Sequence, residues 1–137
     1  MDMPVKVEIL HTLHSRVASS PPDPAYSAFA RRLRMIHILV SMMVKEGCMK
    51  EFLALGEKLR REVLKEKGCH AYEYTREIAS PLGIQEAVDS NRITLVERWD
   101  SLESLKAHMD APHMKEFGPG MSELRTSVTA RVGESIF

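Results

Sequence analysis

Residues 96–117 read VERWDSLESLKAHMDAPHMKEF, and this stretch decides the fold that the sequence predicts. It begins inside an alternating apolar run, residues 93–99, which is typical of a strand. The Asp-Ser pair that follows is a helix cap, and the amphipathic segment after it carries His108. A second short helical segment begins near Pro112. The stretch therefore predicts one strand followed by two short helical segments.

The rest of the chain supplies three more strands and one long helix. Strands are predicted at residues 35–44, 69–77 and 126–132, and a helix lies between the first two because Phe52, Leu55, Leu59 and Val63 recur at helical spacing. The first strand is rich in apolar and β-branched residues, so we expect it to be buried on both faces. We also expect Gly68 to end the long helix at its C′ position and the Gly-Pro-Gly at residues 118–120 to interrupt the last helical segment.

The predicted order of elements is β-α-β-β-α-β, which is the ferredoxin-like split β-α-β arrangement of the α+β class. Its antiparallel sheet carries helices on one face only. The other face needs a cover, commonly a second subunit.

Composition excludes several classes of function. The 137 residues suit one domain, and 19 basic residues balance 19 acidic ones, which argues against a nucleic-acid partner. No apolar run approaches the roughly 20 residues that span a membrane, and the N-terminus lacks the pattern of a signal peptide. Two cysteines do not make a disulfide framework. We therefore expect a cytoplasmic protein with no membrane partner and reduced thiols.

Residues 1–34 differ from the remainder. Within them, SSPPDPAYS at residues 19–27 holds three prolines in four positions and is typical of an extended linker. The predicted organisation is an N-terminal extension with a proline-rich linker at residues 1–34 and a ferredoxin-like domain at residues 35–137. Residues 1–18 are expected to be mobile or docked outside the domain.

The domain resembles the antibiotic biosynthesis monooxygenase family, and most closely its bacterial quinol monooxygenase branch. The likeness spans about residues 35–132. It rests on a Gly-Cys turn, a strand tyrosine, Glu-x-Trp, Ala-His, Pro-His and a downstream phenylalanine, here Gly68, Cys69, Tyr72, Glu97, Trp99, Ala107, His108, Pro112, His113 and Phe117. The resemblance implies a dimeric α/β barrel with a pocket between sheet and helices. It also implies oxidation of an electron-rich aromatic by O₂ without metal, flavin or any other cofactor.

Under this reading, two residues are candidate catalytic groups. His108 is the expected general base because imidazole titrates near neutral pH, and Tyr72 is expected to orient a ring oxygen of the substrate. Four further residues are candidate substrate contacts: Trp99, His70, His113 and Phe117. Glu97 shares a strand face with Trp99, and we expect it to form an ion pair, for instance with an arginine of a second subunit, rather than to act in catalysis.

His108, Trp99 and Tyr72 also have a plain packing interpretation, and His113 is as readily a surface residue, so two other functions stay open. One is a dimer that binds a small aromatic molecule without reaction, and the other is a stress-related structural protein. An enzyme or binder should show an apolar pocket lined by Trp99 and His108, whereas a structural protein would fill that space with side chains.

Two related chemistries are disfavoured. The haem-degrading branch resembles this chain in fold, but Ser41, His108 and Gly118 stand where that branch carries its Asn, Trp and haem-ligating His. A metal site is not expected either. His108 and His113 are five positions apart across Pro112, so they do not share a helical face in the manner of a zinc motif.

Overall fold

The computed structural model describes residues 23–136. The expectation that residues 1–18 are mobile or docked lies outside the described residues. The segment before Arg32 and the compact unit that begins at Arg32 are described separately. Within residues 23–136, no helix combines the length and apolarity that crossing a bilayer requires.

The first described element is a helix, α1, Pro24–Leu33. The expectation that residues 19–27 are extended is therefore wrong from Pro24 onward. Asp23 caps this helix, since the Ala25 N–H donates to Asp23 Oδ1 at 2.8 Å. Proline at the first helical position lacks only an N–H that would have no partner there, so an Asp-Pro pair starts a helix well.

The compact unit contains the seven elements that the sequence predicts, in the same order. They are β1 (Ile36–Val44), α2 (Met49–Val63), β2 (Cys69–Arg76), β3 (Arg92–Trp99), α3 (Leu102–Met109), α4 (Pro112–Glu123) and β4 (Arg125–Glu134). The four strands form one antiparallel sheet in the order β2-β3-β1-β4. The sheet is open, so the chain has a ferredoxin-like α+β fold but does not close a barrel by itself.

The core lies between one face of the sheet and the helices. Alternate residues of β1 and β3 point into it, and Phe52 and Val63 of α2 meet them there with no exposed surface. The opposite face of β1 is open, because His37 is exposed and Leu39 retains 49% of its surface. The expectation that β1 is buried on both faces is therefore not met within one chain.

Two helix boundaries differ from the sequence prediction. Helix α2 ends at Val63 with Leu64 as its C-cap, so Gly68 is not its C′ residue. Gly68 instead takes a φ of +86° in the turn that leads into β2. Helix α4 continues through Pro119 rather than breaking there. Met121 is buried and Phe117 packs against the core, and this tertiary packing outweighs the poor helix propensity of the Gly-Pro-Gly sequence.

A candidate active site around His108

Tyr72, Trp99 and His108 meet at one end of the sheet, beneath the helices. Strand pairing explains the meeting, since the start of β2 lies beside the end of β3 and α3 begins directly after β3. The His108 ring centroid lies 4.8 Å from that of Trp99 and 5.6 Å from that of Tyr72. All three side chains are buried. The geometry thus places a histidine in an aromatic, water-poor environment.

Helix α3 is held in place by its N-terminal cap. The backbone N–H of Ser104 donates to Ser101 Oγ at 3.1 Å, as the Asp-Ser pair predicted. Asp100 adds a second layer, because its Oδ1 accepts from Ser104 Oγ at 2.6 Å and from Ser101 Oγ at 3.1 Å. These bonds lower the pKa of the Asp100 carboxyl, the Ser104 bond most strongly. His108 therefore projects from a helix whose first turn is well fixed.

A carboxylate from the turn before β2 reaches the same place. His108 Nδ1 makes a hydrogen bond of 2.9 Å to Glu66 Oε1. His113 Nε2 makes a hydrogen bond to the same oxygen. The side chains of Glu66 and His113 keep only 13% and 17% of their surface exposed. One carboxylate oxygen thus joins two imidazoles from different helices.

Glu97 is the other carboxylate of the site. It is buried, and the Trp99 indole N–H donates to its Oε2 at 2.8 Å. Burial raises the pKa of the Glu97 carboxyl, while the Trp99 hydrogen bond and nearby His108 oppose part of that rise. Within the described chain its partner is therefore an indole. An ion pair with an arginine of a second subunit stays a prediction.

Burial also raises the pKa values of the neighbouring phenol and thiol groups. It raises the pKa of Tyr72 far above the ordinary value for a phenol, with Tyr74 and Glu97 adding to the effect. It raises the pKa of Tyr74 to about 12 and that of the Cys69 thiol to about 11. At neutral pH Tyr72 is accordingly a neutral phenol that can donate a hydrogen bond.

The structure brings together four of the six predicted site residues. Tyr72 and Trp99 each lie beside the His108 ring, and His113 joins the group through Glu66. Phe117 is half-buried on α4 and packs against the core. His70 is exposed, because a bulge between Cys69 and Ala71 leaves it out of the pairing with β3. The roles in substrate binding assigned to these residues stay predictions.

Glu66 is the site residue that the sequence reasoning missed. Its signal was topological rather than local. Because β2 and β3 pair antiparallel, the turn that enters β2 must lie near the residues that leave β3. An acidic side chain in that turn is therefore a natural neighbour for histidines on the helices after β3.

The cluster is also a possible set of metal ligands. The ligand atoms of Glu66, His108 and His113 lie within 4.8 Å of one another. Two imidazoles and one carboxylate suit several transition metals. The spacing argument against metal was incomplete, because His113 returns to the site from α4. One nitrogen of each imidazole already makes a hydrogen bond to the carboxylate, and the expectation of no metal stays a prediction.

The site is closed in this conformation. Trp99 has no exposed surface, and His108 and Tyr72 retain 3% and 2%. A groove of about 410 Å³ lies elsewhere, between α2 and β2, and is lined by Leu53, Glu57, Arg60, Glu73, Tyr74 and Thr75. Tyr74 connects the two places, since its ring stands edge-on to that of Tyr72 with centroids 5.9 Å apart.

Part of the chain is similar to curated proteins that are named as probable quinol monooxygenases. The chain is 37% identical over 60 residues to the "Probable quinol monooxygenase YgiN" of Escherichia coli K12. The aligned residues make up 44% of this chain and 57% of that protein. The same match is found with the protein of that name from Shigella flexneri. The aligned region thus spans little more than half the length of these relatives.

Solved structures share the fold over a longer stretch. A conserved protein from Methanosarcina mazei superposes with a TM-score of 0.69 at 25% identity, covering 78% of this chain and 98% of that one. Rv0793 from Mycobacterium tuberculosis superposes with a TM-score of 0.61 at 21% identity, covering 72% and 92%. These likenesses support the ferredoxin-like fold.

The family itself is shown by a match over most of the domain. The family model described as antibiotic biosynthesis monooxygenase matches residues 35–119, from the start of β1 into α4, and so includes Glu66, Tyr72, Trp99, His108 and His113. The match covers more than half of the chain. The chain belongs to the antibiotic biosynthesis monooxygenase family.

Proposed function

We propose that this protein is a cytoplasmic monooxygenase that oxidises a quinol-like or polycyclic aromatic substrate with O₂ and uses no metal or organic cofactor. One observation carries the proposal: His108 is buried between aromatic rings while one of its ring nitrogens is held by a carboxylate. A histidine in this setting is suited to take a proton from a flat aromatic molecule. The family membership and the quinol monooxygenase relative support the same reaction class.

The reaction needs no outside source of electrons. A hydroquinone and O₂ together give a hydroxyquinone and water, so one oxygen atom enters the ring and the other leaves as water. The substrate supplies all four electrons that O₂ takes up. Its phenolate gives up an electron much more readily than the neutral phenol does, and removal of the phenolic proton is therefore the step that a protein base can accelerate.

The site residues take complementary roles in this scheme. His108 accepts the phenolic proton, and Tyr72, which burial keeps protonated, donates a hydrogen bond to a ring oxygen. Trp99 offers an indole face for stacking against the substrate ring. The buried setting excludes water, which protects reactive oxygen intermediates. Since the site is closed, the substrate must separate these side chains as it enters.

Oxygen uptake with a panel of reduced quinones tests the proposal. His108→Ala should lower turnover by about 10²–10⁴-fold, the usual contribution of a general base. Met109→Ala is the matched control, because Met109 is the next residue of α3 and is 66% exposed. Equal uptake by wild type and His108→Ala on every quinol consumed would reject the mechanism. Stoichiometric flavin, haem or metal in the purified protein would reject it as well.

A homodimer is part of the proposal. The outer face of the sheet exposes apolar surface at Leu39, with Val96 opposite it on β3, and this surface favours a second copy as its cover. Leu39→Asp should weaken the dimer in light scattering, whereas Leu64→Asp, at a similarly exposed leucine outside the sheet, should not. A wild-type monomer near 15.5 kDa at micromolar concentration would contradict the dimer.

A non-catalytic role is the second candidate, and the closed site favours it. A structural protein is expected to fill the space around Trp99 and His108 with side chains, and both are almost fully buried. The fluorescence of Trp99, the single tryptophan of the chain, separates the candidates. Saturable quenching by a quinone together with oxygen uptake indicates an enzyme, and quenching alone indicates a binder. No quenching indicates a structural protein.

A further inference from the structure

The proposed reaction leaves one carboxylate of the histidine cluster, Glu66, without a role. Its side chain keeps only 13% of its surface exposed and joins His108 to His113. Glu66 is fixed from both sides by its backbone, because its N–H donates to the Val63 carbonyl at 2.9 Å and its carbonyl accepts from the Cys69 N–H at 3.3 Å. The carboxylate therefore stands at a defined position at the end of the sheet.

We propose that Glu66 is a positioning residue that sets the tautomer of His108, with His113 as a second donor that holds the Glu66 oxygen in place. The inference rests on the proposed function for its catalytic meaning, but the tautomer can be measured independently of activity. It assigns Nε2 as the atom of His108 that accepts the substrate proton.

The assignment follows from hydrogen-bond chemistry. An ionised carboxylate has no proton to donate, so each imidazole nitrogen bonded to it must carry the hydrogen. His108 therefore donates from Nδ1, and a neutral His108 keeps its lone pair on Nε2. Free neutral histidine prefers the opposite tautomer, with the hydrogen on Nε2, in which Nε2 cannot act as a base. Glu66 thus reverses an intrinsic preference.

His113 supplies the second constraint. It donates from Nε2 to the same oxygen that His108 uses, so Glu66 Oε1 is bound from two helices at once. Removing either donor leaves the other, and removing Glu66 leaves both imidazoles without their acceptor. We therefore expect a larger effect from changes at Glu66 than from changes at His113.

Proton-detected ¹⁵N spectra of the histidine rings, recorded with ¹⁵N-histidine protein at neutral pH, test the tautomer. His108→Gln identifies the His108 signals among the six histidines. Wild-type His108 should be the Nδ1–H tautomer, and Glu66→Ala should shift it toward Nε2–H. Glu62→Ala is the matched control, because this glutamate lies four positions earlier and pairs instead with Lys65 at 2.8 Å.

Activity provides the second readout. On any quinol that the wild type consumes, Glu66→Ala should lower turnover by about 10²-fold or more, and Glu62→Ala should leave it unchanged. Glu66→Gln keeps the shape and an acceptor oxygen, so it should fold where alanine does not and should retain more of the Nδ1–H form.

Three results would overturn the inference: Nε2–H as the wild-type tautomer, a tautomer unchanged in both Glu66 variants, or a metal ion bound stoichiometrically at the two imidazoles. If the tautomer behaves as expected but no quinol is consumed, the positioning role stands and the proposed reaction fails.

Discussion

Gly68 joins the turn after α2 to the cap of α3, and replacing it tests how the site is held together. Its φ is +86°, a backbone conformation that residues with a Cβ rarely adopt. An added Cβ would also lie 2.7 Å from Ser104 Cβ and still closer to the Ser104 hydroxyl and the Asp100 carboxylate. Gly68→Ala therefore combines backbone strain with a clash against the atoms that cap α3.

Gly47 separates these two contributions. Its φ is +75°, but a Cβ built there meets nothing within 4 Å. Gly47→Ala should cost only the strain of the left-handed conformation, about 1–2 kcal/mol. Gly68→Ala should cost that amount plus about 1–3 kcal/mol for overpacking. Disruption of the α3 cap should add about 1 kcal/mol. We expect a total loss of about 3–6 kcal/mol in the free energy of unfolding.

Urea denaturation of the two variants, followed by circular dichroism, measures the difference. The expected result is that Gly68→Ala loses at least about 2 kcal/mol more than Gly47→Ala, the minimum set by the clash and cap contributions. If Gly68→Ala does not fold at all, the direction of the prediction holds, and Gly68→Asn, which tolerates the φ better, keeps the clash measurable. Equal losses for the two alanine variants would refute the close packing between Gly68 and the cap.

Three further perturbations address other parts of the fold. Burial raises the pKa of Glu97, so its negative charge destabilises the folded state increasingly as pH rises above about 4.3, the pKa in the unfolded chain. Glu97→Gln should therefore be more thermally stable than wild type at pH 7 and little different at pH 4. Equal gains at both pH values would contradict this. A Cβ on Gly56 would lie 3.1 Å from the half-buried Tyr74 ring and would crowd it. Alanine also has the better helix propensity, so the two effects offset each other and Gly56→Ala should change the free energy of unfolding by less than about 1 kcal/mol. Near-ultraviolet circular dichroism should register the shift of the Tyr74 ring. The pKa of Cys69 is about 11, so only about one Cys69 thiol in a thousand is ionised at pH 8. In a Cys48→Ser variant, Cys69 should therefore react with an aromatic disulfide reagent about a hundredfold more slowly than a free cysteine does. In urea its rate should equal that of a free cysteine.

The sequence was sufficient to predict the order and type of the elements from β1 to β4. Alternating and helical periodicities are direct consequences of burial on one face, and burial dominates the energetics of a domain this size. The helix of Pro24–Leu33 was missed because the prolines at residues 21–24 were given more weight than Asp23, which supplies the cap. The break at Pro119 was wrongly predicted because local propensity cannot register the packing of Met121.

The candidate site was predicted only in part. Trp99, Tyr72 and His108 could be found because each lies on the inward face of its own element. Glu66 could not be found in that way, since it lies in a turn and its role depends on which strand ends lie side by side. His70 was predicted as a substrate contact, but the bulge at the start of β2 leaves it exposed, which alternation alone does not predict.

The sheet order constrains when this chain can fold during its synthesis. β1 is made first but lies in the middle of the sheet, between β3 and β4. His37, the second residue of β1, makes a hydrogen bond to Ser135, which is 98 positions later. At typical rates of translation a ribosome takes about 5–20 s to make that stretch. During this time β1 exists without its neighbour β4, so the nascent chain is expected to be a substrate for chaperones that hold exposed strands.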